Sequence, residues 1–472
     1  MFLKQIANAD LAQYAYLIGC QKSGEALLID PLQDIQQYLE IANADGLKIT
    51  AVAETHIHAD FISGAQAFSK YDPGILLYLS DEGGDFWRSE WALGLSAYRP
   101  MKEGSIIKIG NLSLNVIHTP GHTPEHVAFL LTDMGGGADE PMALFSGDFL
   151  FVGDVGRPDL LEQAAGFSGS QQEGAHDLFH SLQKLSRLPE YIQVLPGHGA
   201  GSSCGKALGA VPSSTLGYEV RFNEALKFAL QGDKDSFVSY ILDGQPEPPS
   251  YFARMKKINR EGSGNQMVRN DVSLLSINEV ERGIVEQGWV IVDTRPLEAF
   301  IPSHIRGSQF VSREYFSDFA GSFLEPEAKL VLVAEDNLRA REVLVSLKRL
   351  GIDHVMGFVH PDSFDDFSES LKHSIPSMQA SDLEESALDE KRLILDVRKA
   401  TERKGFKYQS SLHLPHARTI PDLREVPLVP LVTHCQSGLR AAGVASFLLR
   451  KGWQDVRCAL GSPLSLREVV PV

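Results

Sequence analysis

Residues 55–61 read Thr-His-Ile-His-Ala-Asp-Phe. His56, His58 and Asp60 are metal-ligating types at alternate positions, and they close a β-rich run, "LKITAVAETHIHAD". The next residue is Phe61, and a benzyl ring cannot bind a metal. The stretch therefore raises the questions of which metal it serves and how many ions it can hold.

Moving outward, the same arrangement recurs. "LSLNVIHTPGHT" alternates as a strand, breaks at Pro120-Gly121 and delivers His122. "MALFSGD" is a short apolar strand ending in Gly147-Asp148, and "YIQVLPGHGAG" ends at His198. Each polar residue lies just past a strand end, where a rigid sheet holds loops that carry chemistry. His56, His58, Asp60, His122, Asp148 and His198 are the metal candidates.

The bulk numbers narrow the class. A chain of 472 residues exceeds one compact core, so several domains are expected. With 43% hydrophobic and 22% charged residues it reads as a soluble globular protein. The net charge of −17 argues against nucleic acid or an anionic membrane as partner, since both select a basic face. No apolar run approaches the ~20 residues of a membrane span. The start, "MFLKQIANADLAQ", lacks a basic region followed by an apolar core and is poor in Arg, so neither a secretory signal nor a transit peptide is expected. Cys20, Cys204, Cys435 and Cys458 are scattered, which points to a reducing cytoplasm rather than a disulfide framework.

A helical tail is expected over roughly 218–242. "DGQPEPPSYF" and the small, polar "NREGSGNQM" then place a boundary near residue 265. Beyond it lies an internal repeat. "VIVDTRPLEAF" recurs as "LILDVRKATER", with Asp293 matching Asp396. "LVAEDNLRAREVLVSLKRLGI" matches "VTHCQSGLRAAGVASFLLRKGW" without a gap when Arg339 is laid on Arg440. Each copy reads as strand, Asp-x-Arg turn, later strand, loop and amphipathic helix, an alternating α/β pattern with a mainly parallel sheet.

"THIHAD", "TPGHT", "SGD" and "PGHG" together resemble the metallo-β-lactamase fold, an αββα sandwich. Its two-metal members read His-x-His-x-Asp-His, so Phe61 removes a donor of the second site and leaves the first intact. The chain is most similar to the persulfide dioxygenase branch. That resemblance implies one Fe(II) per chain, held by His56, His122 and Asp148 as a two-histidine, one-carboxylate facial triad. His58, Asp60 and His198 would then orient ligands, waters or substrate by hydrogen bonds. The same donor types also suit Zn²⁺ and hydrolysis. Arg157, in "FVGDVGRPDL", is read either as a substrate contact or as the structural partner of Asp159. Cys204, six residues after His198, either brings a thiol to the substrate channel or is a buried, inert cysteine.

"HCQSGLR", 434–440, follows an apolar strand and precedes a helix, and it resembles the active-site loop of rhodaneses. Backbone N–H groups from Gln436, Ser437, Gly438 and Leu439 can curl around the Cys435 sulfur as an anion nest. The helix N-terminus favours the thiolate, and Gly438 permits the tight turn. Arg440 can anchor the loop or a sulfur oxyanion. In the first copy Cys435 falls on Ala334, and Gln436 and Ser437 fall on Glu335 and Asp336, so that copy is expected to be catalytically dead. The second copy also departs from the family, reading "LHLPHARTIP" where rhodaneses read "GHIPGA", and ending in "LGSP" rather than a Gly-Gly pair.

The order resembles persulfide dioxygenase–rhodanese fusions. It implies an α/β multidomain chain: a metallo-β-lactamase-fold domain over 1–265, an inactive rhodanese-like domain over 266–375 and a catalytic rhodanese domain over 376–472. The implied partners are a low-molecular-weight thiol persulfide, O₂, and sulfite or thiosulfate, in a dimer or tetramer engaged in sulfide detoxification. The alternative is a zinc-dependent, glyoxalase II-like thioester hydrolase with an attached sulfurtransferase. A third possibility, a sulfur carrier whose first domain is vestigial, predicts no role for His122.

Overall fold

Two six-stranded sheets carry the first half of the chain. In one, strands Phe2–Asn8, Gln13–Cys20, Glu25–Ile29, Lys48–Ala53, Leu76–Ser80 and Tyr98–Met101 lie side by side in chain order. The first two pairings are antiparallel and the last three parallel. In the other, Ile106–Ile109, Leu112–His118, Val127–Asp133, Ala143–Gly147, Gln193–Pro196 and Ser214–Thr215 are also neighbours in order. The computed structural model describes residues 1–160, 162, 170–264, 271–383, 385, 391–408 and 410–462.

Alternation along the strands explains the layering. Inward residues such as Tyr16, Leu27, Leu114, Phe129 and Phe145 form one core between the sheets. The opposite face of the second sheet packs Leu144 and Val194 against Leu178, Leu182, Phe237 and Ile241 from helices. On the first sheet, helices Gln36–Ala44 and Ala65–Tyr71 meet through the Tyr38 and Phe68 rings, 6.4 Å apart. The arrangement is helix, sheet, sheet, helix.

The helical tail expected over 218–242 is three helices, Leu216–Phe222, Glu224–Gln231 and Lys234–Leu242. The break at Asn223 has a local cause: its side chain accepts from Leu226 N–H, which caps a new helix instead of extending the old one. A second difference concerns "NREGSGNQM", read as linker. Its Asn259 lies in helix Phe252–Glu261 and is buried in the first unit.

The chain divides into two compact units, Met1–Pro248 with Phe252–Gly264, and Pro249–Tyr251 with the chain from 265 onward. The boundary expected at 265/266 lies outside the described residues, as does Pro463 of "LGSP". In the second unit, Gln309–Phe310, Val290–Asp293, Leu330–Val333 and Val355–Val359 form one parallel sheet in that order. Ser411–His413, Leu393–Asp396, Leu431–His434 and Val456–Leu460 repeat that order in a second parallel sheet, extended by Ser377–Gln379. Matching turns carry matching ion pairs: Arg295 on Asp293 and Arg398 on Asp396, each bidentate. Among the described residues no helix is long and apolar enough to cross a membrane.

Candidate metal centre and sulfur-binding loop

The His56 loop begins two residues after strand Lys48–Ala53 and is pinned from below by Asp30. The Asp30 carboxylate accepts from Thr55 N–H at 2.7 Å and from the Thr55 hydroxyl at 2.8 Å. Because that hydroxyl proton is committed to Asp30, the 2.9 Å contact between Thr55 Oγ1 and His56 Nδ1 has the imidazole donating. His56 Nε2 is therefore left with its lone pair. On the facing loop, His122 Nδ1 donates to the Arg157 carbonyl at 3.1 Å, which bares its Nε2 in the same way.

Asp148 enters through Gly147, whose φ of +51° and close approach to Thr55 and His126 leave no room for a side chain. The Asp148 N–H donates to His126 Nε2 at 3.1 Å, and its Oδ1 accepts from His198 Nδ1 at 2.7 Å. Its Oδ2 is buried without a hydrogen-bond partner. That orphaned oxygen lies 3.9 Å from His56 Nε2 and 3.6 Å from His122 Nε2. These separations are too long for hydrogen bonds. They suit donors that would close by a few tenths of an ångström around one ion at about 2.1 Å. Burial, reinforced by His58, keeps His56 well below the usual imidazole range, and burial lowers His122 to about 4. Burial would raise Asp148, but His198 and His122 outweigh it and hold the carboxyl well below its usual range. Two neutral imidazoles and one carboxylate thus converge, a donor set that fits a divalent ion.

Two further acid–histidine groups contrast with this one. His198 Nε2 lies 2.8 Å from Asp60 Oδ2, and His58 Nε2 lies 3.0 Å from Glu54 and 3.2 Å from Asp30. The first is a hydrogen bond, whereas the His58 contacts are ion-pair distances in which Nε2 finds no aligned hydrogen-bond partner among the described residues. Burial opposes charge on both rings, but the carboxylates prevail, raising His198 to about 10 and His58 well above its usual value. His58 pairs with Glu54 and Asp30 while its ring lies 4.2 Å from that of His56, and the buried Phe61 ring covers it at 4.4 Å between centroids. Cys204 is brought beside Asp60 and His198 as a buried thiol, and burial pushes it well above the usual thiol range.

Arg157 resolves to the structural one of its two readings. It is wholly buried, its Nε and Nη2 bind Asp159 at 2.8 and 2.6 Å, and it also donates to the carbonyls of Ser203 and Pro246. Its task is to place the carbonyl that orients His122. Several neighbours lie outside the motifs. Asn259 Nδ2 donates to the carbonyls of His58 and Phe61 at 2.8 and 2.7 Å. Glu125 accepts from Ile57 N–H at 2.9 Å. Lys256 sits 5.1 Å from the centre of the Trp87 ring, and burial lowers its ammonium to about 8 against the pull of Glu125. Only Glu125, three residues from His122, had a nearby motif to betray it.

In the second unit, Cys435 follows strand Leu431–His434 and is almost fully buried beneath the exposed Gln436 and Ser437. Gly438, at φ +99°, turns its N–H onto Cys435 Sγ at 3.1 Å, and helix Leu439–Arg450 starts there. Arg440 is committed within the fold: it makes a bidentate pair with Glu402 at 2.6 and 2.7 Å. Burial opposes its charge, but Glu402 and the nearby Cys435 keep its pKa raised. In the first copy, Asp336 accepts from Arg339 N–H at 2.8 Å, so its own carboxylate caps helix Asn337–Arg349 where the second copy turns Gly438 N–H onto Cys435.

Residues 9–198 match the family model of the metallo-β-lactamase superfamily. A mitochondrial persulfide dioxygenase of Bos taurus is 31% identical over 200 residues, which span 42% of this chain and 68% of that protein. A hydroxyacylglutathione hydrolase of Nitrosococcus oceani is 33% identical over 200 residues, 42% of this chain and 66% of that protein. The crystal structure of a metallo-β-lactamase from Staphylococcus aureus subsp. aureus COL is 38% identical with a TM-score of 0.66, covering 76% of this chain and 99% of that one. With those relatives, and with its donors at the strand ends of a two-sheet sandwich, the chain belongs to the metallo-β-lactamase superfamily.

Proposed function

We propose that the chain is an iron-dependent persulfide dioxygenase joined to a sulfurtransferase, with a dioxygenase domain over 1–265, an inactive rhodanese-like domain over 266–375 and a catalytic rhodanese domain over 376–472. The observation that carries the reading is the donor geometry around Asp148 Oδ2. Two Nε2 atoms face it beyond hydrogen-bonding distance, while His58 is diverted to Glu54 and Asp30. The persulfide dioxygenases among the relatives support the choice of substrate.

His56, His122 and Asp148 would hold one Fe(II), which when bound would supply the redox chemistry that joins O₂ to the terminal sulfur of the substrate. Thr55 and the Arg157 carbonyl keep the two imidazoles in the ligating tautomer. His198 holds a proton against Asp148 Oδ1, which orients the carboxylate. Lys256, a cation on the Trp87 face, is the group placed to meet a negatively charged thiol carrier. Phe61, Phe149 and Phe151, all buried, keep the surroundings dry. The overall change is R–S–SH + O₂ + H₂O → R–SH + SO₃²⁻ + 2 H⁺.

The Cys435 sulfur, which accepts from Gly438 N–H at the start of the helix, takes a sulfane sulfur from a persulfide and passes it to sulfite, giving thiosulfate. The reverse direction would feed persulfide to the first site. A cytoplasmic dimer or tetramer that clears sulfide-derived sulfur fits this chemistry.

The hydrolase relatives keep a second reading in view: zinc at the same donors, cleaving a thioester. Anaerobic metal analysis followed by O₂ uptake with a persulfide separates the two. One iron with sulfite production is the expected result. One zinc, no O₂ uptake and thioester cleavage overturns it.

A further inference from the structure

The second unit holds a cavity of about 250 Å³ that the proposed chemistry leaves unused. It is lined by His304, Arg306, Ser308, His373, Ser446 and Trp453, among others. The volume is several times the ~30 Å³ share of one water, enough for a small ion with part of its hydration. Among the described residues no carboxylate lines it, in a chain with 61 acidic and 44 basic residues.

Its walls are fixed. Gln309 Nε2 donates to Gly443 O at 3.0 Å and to Ser446 Oγ at 2.9 Å, and Phe310 N–H donates to the same hydroxyl at 3.1 Å. These bonds tie the turn at 304–308 to helix Leu439–Arg450. His304 Nδ1 donates to Phe300 O at 2.8 Å. Its Nε2 therefore accepts from His373 Nδ1 at 3.3 Å, which leaves His373 Nε2 as an acceptor. Burial lowers His304 to about 4, consistent with the neutral ring this chain of bonds requires.

Two donors remain. Ser308 Oγ is buried with no hydrogen-bond partner, and the residue is 2% exposed. The Arg306 guanidinium is paired with no carboxylate among the described residues. A cation, an orphaned hydroxyl and an imidazole acceptor form a complementary set for an oxyanion that still carries a proton.

We propose that this cavity binds a small protonated oxyanion, hydrogenphosphate or hydrogensulfite, with Arg306 and Ser308 donating to its oxygens and His373 Nε2 accepting its hydroxyl. Ser446 lies about two helical turns from Leu439, so this site is separate from the Cys435 loop at the start of the helix.

The test is calorimetric titration of the full chain carrying Cys435→Ser, which removes turnover at the loop, with phosphate, sulfite and sulfate at neutral pH. Saturable binding of phosphate or sulfite is expected, weakened about tenfold or more by Arg306→Ala and by less in Ser308→Ala. The phosphate and sulfite arms tell the two ions apart. Sulfate, with no proton at neutral pH, should bind about tenfold more weakly than the better of them. Binding that Arg306→Ala leaves unchanged, sulfate binding as tight as the others, or no saturable binding of any of them overturns the proposal. A matching far-UV spectrum for Arg306→Ala and wild type separates a lost site from a lost fold.

Discussion

Thr55→Val tests the metal centre through one oxygen. The substitution keeps the branched shape but removes the hydroxyl that donates to Asp30 Oδ2 at 2.8 Å and accepts from His56 Nδ1 at 2.9 Å. Asp30 keeps Thr55 N–H at 2.7 Å and its contact with His58, so the loop remains anchored. His56 loses more. Its Nδ1–H becomes a buried donor without a partner, at a cost of about 1–3 kcal/mol. The imidazole then gains by moving its proton to Nε2, the atom that faces Asp148, and in that tautomer it cannot ligate. Loss of such an orienting partner typically weakens metal binding about 10–100-fold, or about 1.4–2.8 kcal/mol, the same range. The assay is an anaerobic Fe(II) competition titration against a chromophoric chelator, with far-UV circular dichroism as the check on folding. Thr55→Ser, which retains the hydroxyl, should return affinity to near the wild-type value. In His56→Ala, adding Thr55→Val should cost nothing further, since the two changes act on one ligand. A folded Thr55→Val protein with wild-type iron affinity would refute the tautomer argument and, with it, ligation through His56 Nε2.

Three more outcomes can be measured. Phe61→His should add a donor next to Asp60 and raise the bound metal from one to two equivalents per chain by elemental analysis; a constant count would mean that something other than Phe61 keeps the second ion out. Cys435→Ser should abolish sulfur transfer while O₂ uptake with a persulfide persists, shifting the product from thiosulfate to sulfite; joint loss would contradict separate sites. Asp318 binds His416 at 2.6 Å, and although burial raises its carboxyl, His416 prevails and leaves it below the ordinary value. Its stabilising contribution is therefore full above the unfolded-state pKa of about 3.9 and is lost as pH falls through the lower folded value. Asp318→Asn should lower the unfolding midpoint at pH 6, with the gap to wild type closing below about pH 4; a gap that does not change with pH would assign the effect to packing.

Much of the site was legible because strand-end donors leave a local signature. His56, His122, Asp148 and His198 each follow a short apolar or alternating run, so motif and element could be read together. The Cys435 loop was legible for the same reason, since strand, Gly438 and helix are contiguous. The supports were not. Asn259 reaches His58 and Phe61 from some 200 positions along the chain, and in sequence it looked like part of a polar linker. Asp30 and Lys256 likewise carry no motif. Asn223 split the helical tail because a capping side chain outcompeted helix continuation, a choice settled by its hydrogen bond from Leu226 N–H.

By itself, then, the sequence determined which residue types could meet a metal, that Phe61 could not, and that the second half carries a repeat with a cysteine at the loop position of the second copy and Ala334 in the first. Those are properties of a residue and its immediate neighbours. Only the tertiary structure decided their roles. It sorted one triad, with its donors 3.6 and 3.9 Å from Asp148 Oδ2, from a hydrogen-bonded His198–Asp60 pair and from a His58 ion-paired with Glu54 and Asp30. It also assigned Arg157 to Asp159, and Arg440 to Glu402. The reason is that ligation, ion pairing and tautomer choice depend on distances of a few tenths of an ångström between atoms far apart in the chain, and packing alone fixes those distances.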